Sequence, residues 1–365
     1  MSLKDCSAYN VQFIEGKPVF IDTLSFDRYT EGEPWVAYRQ FCQHFLAPLA
    51  LMKYRDVRLH MLLRTCIDGI PLDMAKRLLP LRAAFSLSLL IHLILHARSG
   101  RKKISTSAGK PVNRRFSKQA SYGLIDSLES AVRKLNPVRK TSAWNTYYET
   151  CSYSSSALEH KARRVLEHVQ RIHPDTLWDF GANTAYFSKL VAPHCRQVIS
   201  FDFDPLCIET IWSEGNCTSL KNILPLVMDL ANPSPSIGWH NRERKSLVER
   251  GPAAMALCLA LIHHLAIANN VPLDMVARFF ADVCIRLVIE FVPKEDPQIQ
   301  EMLAVRKDIF GHYTVEAFEK TFSEYFVIEK KSPVADTGRS IYLMKNRQLP
   351  SSTSDLSKQQ RCRIS

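Results

Sequence analysis

The chain has 365 residues, 46% of them hydrophobic, which is enough to bury a sizeable core and to form two domains. Its formal net charge of +12 admits an anionic partner but speaks to encounter and solubility rather than to fold. Ten cysteines include no Cys-x-x-Cys pair, which argues against a zinc knuckle or a redox motif, and reduced, mostly buried thiols in a cytoplasmic protein are the expectation.

Met1 to Asn10 is polar, and Lys4 is followed by Asp5 rather than by an apolar run, so no secretory leader is expected. Val11 to Ile14 and Pro18 to Ile21, joined by Glu15-Gly16-Lys17, predict an extended pair, and apolar-periodic helices follow from Trp35 to about Ala97. The most apolar segment, Ala83 to Ala97, has 15 residues and carries His92 and His96. It falls short of the roughly 20 residues that cross a bilayer, so a buried helix is expected, with surface contact to a membrane as the alternative.

Arg98 to Lys118 holds eight Lys or Arg and no acid among Ser, Thr, Gly and Pro, and reads as a flexible basic connector. An anionic partner could dock there, but Phe116 is its one aromatic, so base stacking is weakly supported. Leu124, Ile125, Leu128, Val132 and Leu135 give Tyr122 to Leu135 helical spacing, stopped by Pro137. Trp144, Tyr147, Tyr148 and Tyr153 precede a helix over about Ser156 to His173, and from Leu177 short apolar strands alternate with helical patterns, as in βαβ units on a parallel sheet. No repeat at solenoid or propeller periods appears. The polar tail after Asn346 is expected to be disordered. The resulting division is an N-terminal hairpin and helical region (1–97), a basic linker (98–118), a connecting helix and aromatic segment (119–155), an α/β domain (156–345) and a tail (346–365).

At the start of the chain, an Asp, an Asn five residues later, a short hairpin and a further Asp occur as Asp5, Asn10 and Asp22. That spacing resembles the catalytic loop and metal-binding strand of protein-kinase-like and aminoglycoside-phosphotransferase-like folds, and the resemblance implies a base at Asp5 and metal ligands at Asn10 and Asp22. No histidine precedes Asp5, Asp22 is followed by Thr-Leu rather than Phe-Gly, and no glycine-rich loop lies upstream. A degenerate remnant is therefore expected rather than a working kinase, and a plain hairpin followed by helices explains the same residues.

The strongest chemical signal is Thr176 to Ser188, an apolar strand that ends in Asp179 and breaks at Gly181 into a small-residue turn before a helix. Such a turn presents backbone amides beside the strand ends, where open α/β sheets hold their ligands. A second strand, Gln197 to Phe201, ends in Asp202, 23 residues after Asp179, a distance that suits ribose hydroxyls.

These residues resemble the class I S-adenosylmethionine-dependent methyltransferases, whose first motif is D-x-G-x-G-x-G. Here it reads Asp179-Phe-Gly181-Ala-Asn183-Thr-Ala185. Asn183 tolerates left-handed backbone angles and Ala185 is the smallest side chain after glycine. The resemblance implies a seven-stranded, mostly parallel Rossmann-like sheet with a C-terminal antiparallel hairpin, preceded by a mainly helical region, and S-adenosylmethionine as cofactor. By it, Asp202 holds the ribose, Leu226 to Leu230 is the third strand, Asp229 faces the adenine amino group and Leu230 packs on the ring. Ala256 to Ile262 followed by His263-His264 resembles the fourth strand, Leu287 to Val292 the fifth, and the runs from Tyr313 to Met344 the last helix and the hairpin.

Methyl transfer itself asks for alignment, plus a base where the acceptor must lose a proton. His263 and His264 are the candidates, with Glu290 and Glu295 behind them, and either histidine could equally be packed into the core. Tyr148 and Tyr153 could lid the cofactor or pack under a linker. Asp204-Pro205 reads as a helix start, and Asp179-Gly181 alone could be a simple strand-to-helix turn. A nicotinamide Rossmann domain competes, against the glycine pattern and the hairpin. The acceptor is expected to be a small molecule or glycolipid-type metabolite; the alternatives are a non-catalytic binding protein, and nucleic-acid methylation, which the absence of an N-P-P-Y-type motif disfavours. As a whole the chain resembles long bacterial methyltransferase-like proteins, some associated with rhizobial nodulation.

Overall fold

The computed structural model describes residues 1–14, 16–96, 116–135, 154–215 and 221–350. Most of the basic connector, the aromatic positions Trp144, Tyr147, Tyr148 and Tyr153, and the tail beyond residue 350 lie outside the described residues. The chain divides into two compact units, Met1–Lys140 and Thr141–Ser365.

In the first unit, β1 (Ser2–Leu3) pairs antiparallel with β4 (Phe26–Asp27), and between them β2 (Val11–Ile14) and β3 (Lys17–Phe20) form the expected antiparallel pair. Helices α1 (Ala47–Tyr54), α2 (Leu72–Leu78) and α3 (Lys118–Arg133) share one core with shorter helical turns. Leu46, Leu51 and Ile70 are fully buried in it, and Leu128 and Ala131 of α3 join them. The Ser117 side chain caps α3 by accepting from the Ala120 amide. The apolar stretch before the connector departs from a fully buried helix. It forms a tight turn, Leu81–Phe85, and a helical run from Leu87 to Leu95, of which Leu89, His92 and Leu93 are buried while Leu81, Phe85 and Leu87 are exposed. Among the described residues, the core takes only one side of this segment, through Ala83, Leu89 and Leu93.

The second unit is built on one seven-stranded sheet. Its strands are β5 (Thr176–Phe180), β6 (Gln197–Asp202), β7 (Ile223–Val227), β8 (Ala253–Cys258), β9 (Cys284–Phe291), β10 (Phe326–Pro333) and β11 (Ser340–Asn346), in the spatial order β10-β11-β9-β8-β5-β6-β7. Five strands, β5 to β9, run parallel, whereas β11 is antiparallel to both β9 and β10. This is the mostly parallel sheet with a C-terminal antiparallel hairpin that the sequence implied. Helices α4 (Ser155–Ile172), α5 (Tyr186–Val191), α6 (Pro205–Gly215), α7 (Leu273–Val283), α8 (Pro297–Ala304) and α9 (Val315–Tyr325) complete it.

Strands covered on both faces read as continuous apolar runs, and β8 and β9 are buried almost throughout. Period-two alternation then sends neighbours to opposite sides. Trp178 and Phe180 of β5 join Phe201, Phe280 and Phe291 on one face, while Leu177 packs with Val198, Val288 and α4's Val165 and Val169 on the other. The third, fourth and fifth strands begin and end earlier than the apolar runs suggested, because Met228, Leu230, Leu259 and Leu261 belong to the loops beyond the ladder and line a cavity there. The seven described cysteines are free.

Candidate active site

The carboxyl ends of β5, β6, β7 and β8 open on one edge of the sheet around a cavity of about 310 Å3. Asp179, Asp202, Asp229 and Leu230, which come from three successive strand ends, all line it. The turn between β5 and α5 forms one wall and carries Gly181, Ala182 and Asn183. Three of its residues are left-handed: Gly181 (φ 75°), Asn183 (φ 52°) and Ala185 (φ 64°). The two glycines missing from the motif are therefore missing only as residue types. Asn accepts this conformation at small cost, and Ala carries the least side chain after glycine to strain in it. The turn is pinned to the neighbouring strand, because the Gly181 and Ala182 amides both donate to the Phe201 carbonyl at 2.9 Å. A Cβ added at Gly181 would stand 3.3 Å from Leu261 Cδ1, in the cavity wall.

Asp202 ties this turn to the next. Its Oδ2 accepts the Asn183 amide at 2.7 Å and its Oδ1 the Asp204 amide at 2.9 Å. Burial pushes its carboxyl up to about 6, against the pull of those two amides. Asp179, 2% exposed, is also raised by burial to about 6, with the Ser188 hydroxyl donating to its Oδ2 at 2.6 Å. Ser188 Oγ lies 2.7 Å from Ser200 Oγ in turn, which links α5 to β6. Asp229 sits on the exposed loop after β7 and accepts the Ala231 amide at 2.9 Å.

The two adjacent histidines part company. His264 lines the cavity, and burial lowers its pKa. His263 lies outside the lining, is 1% exposed, and has no hydrogen-bond partner for either ring nitrogen among the described residues. Its ring stands 4.3 Å from that of His264, tilted by 38°. Burial holds His263 well below the ordinary histidine range, with the neighbouring His264 adding to the effect. Both rings are thus held towards the neutral form, the one able to accept a proton.

No family model matches the chain. Over 345 residues, spanning 93% of this chain and 72% of the relative, the sequence is 38% identical to the nodulation protein NoeA of Rhizobium meliloti (strain 1021). The chain belongs to the NoeA family. Solved structures similar to it include the N-methyltransferase NodS from Bradyrhizobium japonicum WM9 in complex with S-adenosyl-L-homocysteine, 10% identical, covering 56% of this chain and 98% of that one, with a TM-score of 0.41. Others are magnesium protoporphyrin IX methyltransferase (ChlM) from Synechocystis PCC 6803, at 14% identity over 56% of this chain and 92% of that one, TM-score 0.38, and the bifunctional kinase-methyltransferase WbdD, at 14% over 61% and 47%, TM-score 0.39. Likenesses of that size carry no activity across, and the architecture of this NoeA-family chain rests on the strand order above.

The NoeA-family site also contains one cation that motif reading passed over, held by the Glu290 that it had named. Lys161 of α4 lines the cavity, donates to Glu290 Oε2 of β9 at 2.7 Å, and has its ammonium 5.0 Å from the centre of the Phe187 ring. The Ala260 amide donates to the same Glu290 oxygen at 2.7 Å. Arg339 lies 3.9 Å from the other Glu290 oxygen and grips Asp296 through two bonds of 2.6 and 3.0 Å. Lys161 could have been suspected from its place on the buried stripe Ala157, Lys161, Val165, Val169, where a cation needs a partner. Glu295 is exposed and outside the cavity lining.

In the first unit, Asn10 and Asp22 are brought together through Ser25, whose hydroxyl accepts from Asn10 Nδ2 at 3.3 Å and donates to Asp22 Oδ2 at 2.6 Å. Asp5 is engaged elsewhere, its Oδ1 accepting from the Ser7 amide and from Gln40 Nε2. Among the described residues no group of three or more His, Cys, Asp or Glu is placed to hold a metal ion.

The raised carboxyls at Asp179 and Asp202 fix a sign for stability. Each takes up protons on folding between the ordinary value of 3.8 and about 6, so its stabilising protonated form is lost as pH rises through that window. Asp179→Asn, which stays neutral and still accepts the Ser188 hydroxyl, is expected to raise the melting temperature clearly at about pH 8 and little at about pH 4. Thermal melts at the two pH values check it; an equal shift at both would mean that Asp179 is not held in the protonated form by burial.

Proposed function

We propose that the second unit binds S-adenosylmethionine and transfers its methyl group to an acceptor. The observation that carries this reading is the set of three strand-end carboxylates, Asp179, Asp202 and Asp229, converging on one cavity walled by a turn with three left-handed residues. The cavity falls within the roughly 300–1,000 Å3 that small ligands occupy. The Asp202 carboxylate, which accepts the Asn183 and Asp204 amides, has two lone pairs on each oxygen and so has capacity for a ribose hydroxyl as well. Asp229 faces the adenine amino group, and Leu230 with Met228 supplies the apolar surface for the ring.

When bound, the cofactor's sulfonium supplies an activated methyl group and its own leaving group. The chain then has to orient the acceptor, exclude water and, where needed, accept a proton. His264 is the candidate base, being neutral and at the cavity wall, while His263 supports it from behind. The acceptor is read as a small molecule or glycolipid-type metabolite.

Isothermal titration with S-adenosylmethionine and S-adenosylhomocysteine tests the cofactor. Saturable binding at or below about 1 mM is expected, an affinity of at least about 4 kcal/mol. Folded protein that takes up neither compound would refute the proposal. Cofactor bound but never turned over, against acceptors drawn from a cell extract with labelled methyl, would leave a binding protein instead of an enzyme.

A further inference from the structure

The net charge of +12 is concentrated in one stretch of the chain. Residues 74–125 hold eleven Lys or Arg and no Asp or Glu, so the other 313 residues carry 37 basic against 36 acidic side chains. The described part of that stretch also presents large apolar side chains to solvent. Leu81 is 91% exposed, Phe85 90% and Leu87 69%, with Ile91 and Leu95 above 40%. Leu87, Ile91 and Leu95 recur every fourth residue, so they form one stripe along the helical run, while Leu89, His92 and Leu93 turn into the core. Arg77 and Arg82 of the same stretch are exposed, and Arg82 is anchored by a bond of 2.8 Å to the Tyr54 carbonyl.

Exposed apolar residues normally occur singly on a soluble protein, and a contiguous patch marks an interaction surface. We propose that the face of residues 77–95 rests on an anionic lipid surface, its aliphatic side chains and Phe85 at the acyl boundary and its cations against the phosphates. An apolar face and a polybasic segment are the two signals that together give stable surface binding. No described helix is long and apolar enough to cross a membrane, which suits contact rather than insertion. A second copy is disfavoured as the occupant, since it would bring the exposed Arg77 and Arg82 of one face towards those of the other. Single-stranded nucleic acid is disfavoured because the apolar tips are mostly aliphatic and offer little for bases to stack on. This inference does not depend on the cofactor reading.

The full chain is to be sedimented with phosphatidylcholine vesicles containing about 30% phosphatidylglycerol, and with pure phosphatidylcholine vesicles. Binding to the anionic vesicles is expected, weaker by about tenfold or more on pure phosphatidylcholine and on raising sodium chloride from about 0.1 M to about 0.5 M. Leu81→Ser with Phe85→Ser is expected to weaken it by about tenfold with an unchanged melting curve. The pair Leu87→Ser and Leu95→Ser gives an independent reading should the first pair alter the melt. The proposal is overturned by no binding to anionic vesicles, or by unchanged binding in folded variants of both pairs. It is equally overturned if the same variants abolish only binding to a polyuridine oligonucleotide, or only dimerisation, with no vesicle binding by the parent.

Discussion

Replacing Asp202 by Ala is expected to weaken S-adenosylhomocysteine binding by more than about tenfold in isothermal titration, while the domain stays folded. A hydrogen bond to a charged group contributes about 1.5–3 kcal/mol, which corresponds to roughly 10- to 100-fold in affinity. Two effects add in the same direction. The ribose hydroxyls lose their acceptor, and the Asn183 and Asp204 amides, which Asp202 holds at 2.7 and 2.9 Å, are released, so the left-handed turn loses its brace. Asp202→Asn separates them, because it keeps the shape and one acceptor but loses the charge, and an intermediate affinity is expected. Acid should act in the same direction, since the carboxyl is pushed up to about 6 and only its ionised form accepts fully at both oxygens. Cofactor affinity therefore falls as pH drops through about 6. Folded Asp202→Ala protein with unchanged affinity would remove Asp202 from the ribose site.

The largest loss of stability is expected from Lys161→Met. Lys161 and Glu290 have side chains only 3% and 0% exposed, and their contact is 2.7 Å. Removing one member of a buried pair leaves the other charged without its counter-ion, at a cost of about 3–5 kcal/mol. For a unit of this size that is a fall of roughly 10 °C or more in melting temperature. Glu290 would keep the Ala260 amide and a more distant Arg339, which is partial compensation. Adding Glu290→Gln to Lys161→Met should recover part of the loss, because the stranded charge disappears along with its partner. A thermal melt of the two variants checks this. A single variant that melts with the parent would mean that water reaches the pair.

The strand ends were legible because each combines a local apolar run with an acid, and the parallel sheet follows from the alternation of strands and helices. The turn was legible despite its missing glycines, since Asn183 and Ala185 can take the angles that the structure gives them. What stayed hidden depends on distant contacts. Lys161, Glu290, Asp296 and Arg339 lie on separate elements and meet only through the fold. The sequence could not tell His263 from His264, because the choice depends on how the chain turns after β8, where Ala260 is left-handed at φ 48°. The segment from Ala83 to Ala97 was expected to be a buried helix on composition alone. Composition records how apolar a segment is, whereas its burial depends on what packs over it.

Strand β11 lies between β9 and β10, with Ile341, Tyr342, Leu343 and Met344 fully buried. The last strand among the described residues is thus an interior member of the sheet. During synthesis β9 leaves the ribosome with a bare hydrogen-bonding edge, and it keeps that edge while α8, α9 and β10 follow. An unpaired edge on an apolar sheet is the kind of surface that draws in other chains. Until β11 is made and slots in, the β9 edge therefore stays open to pairing with other chains.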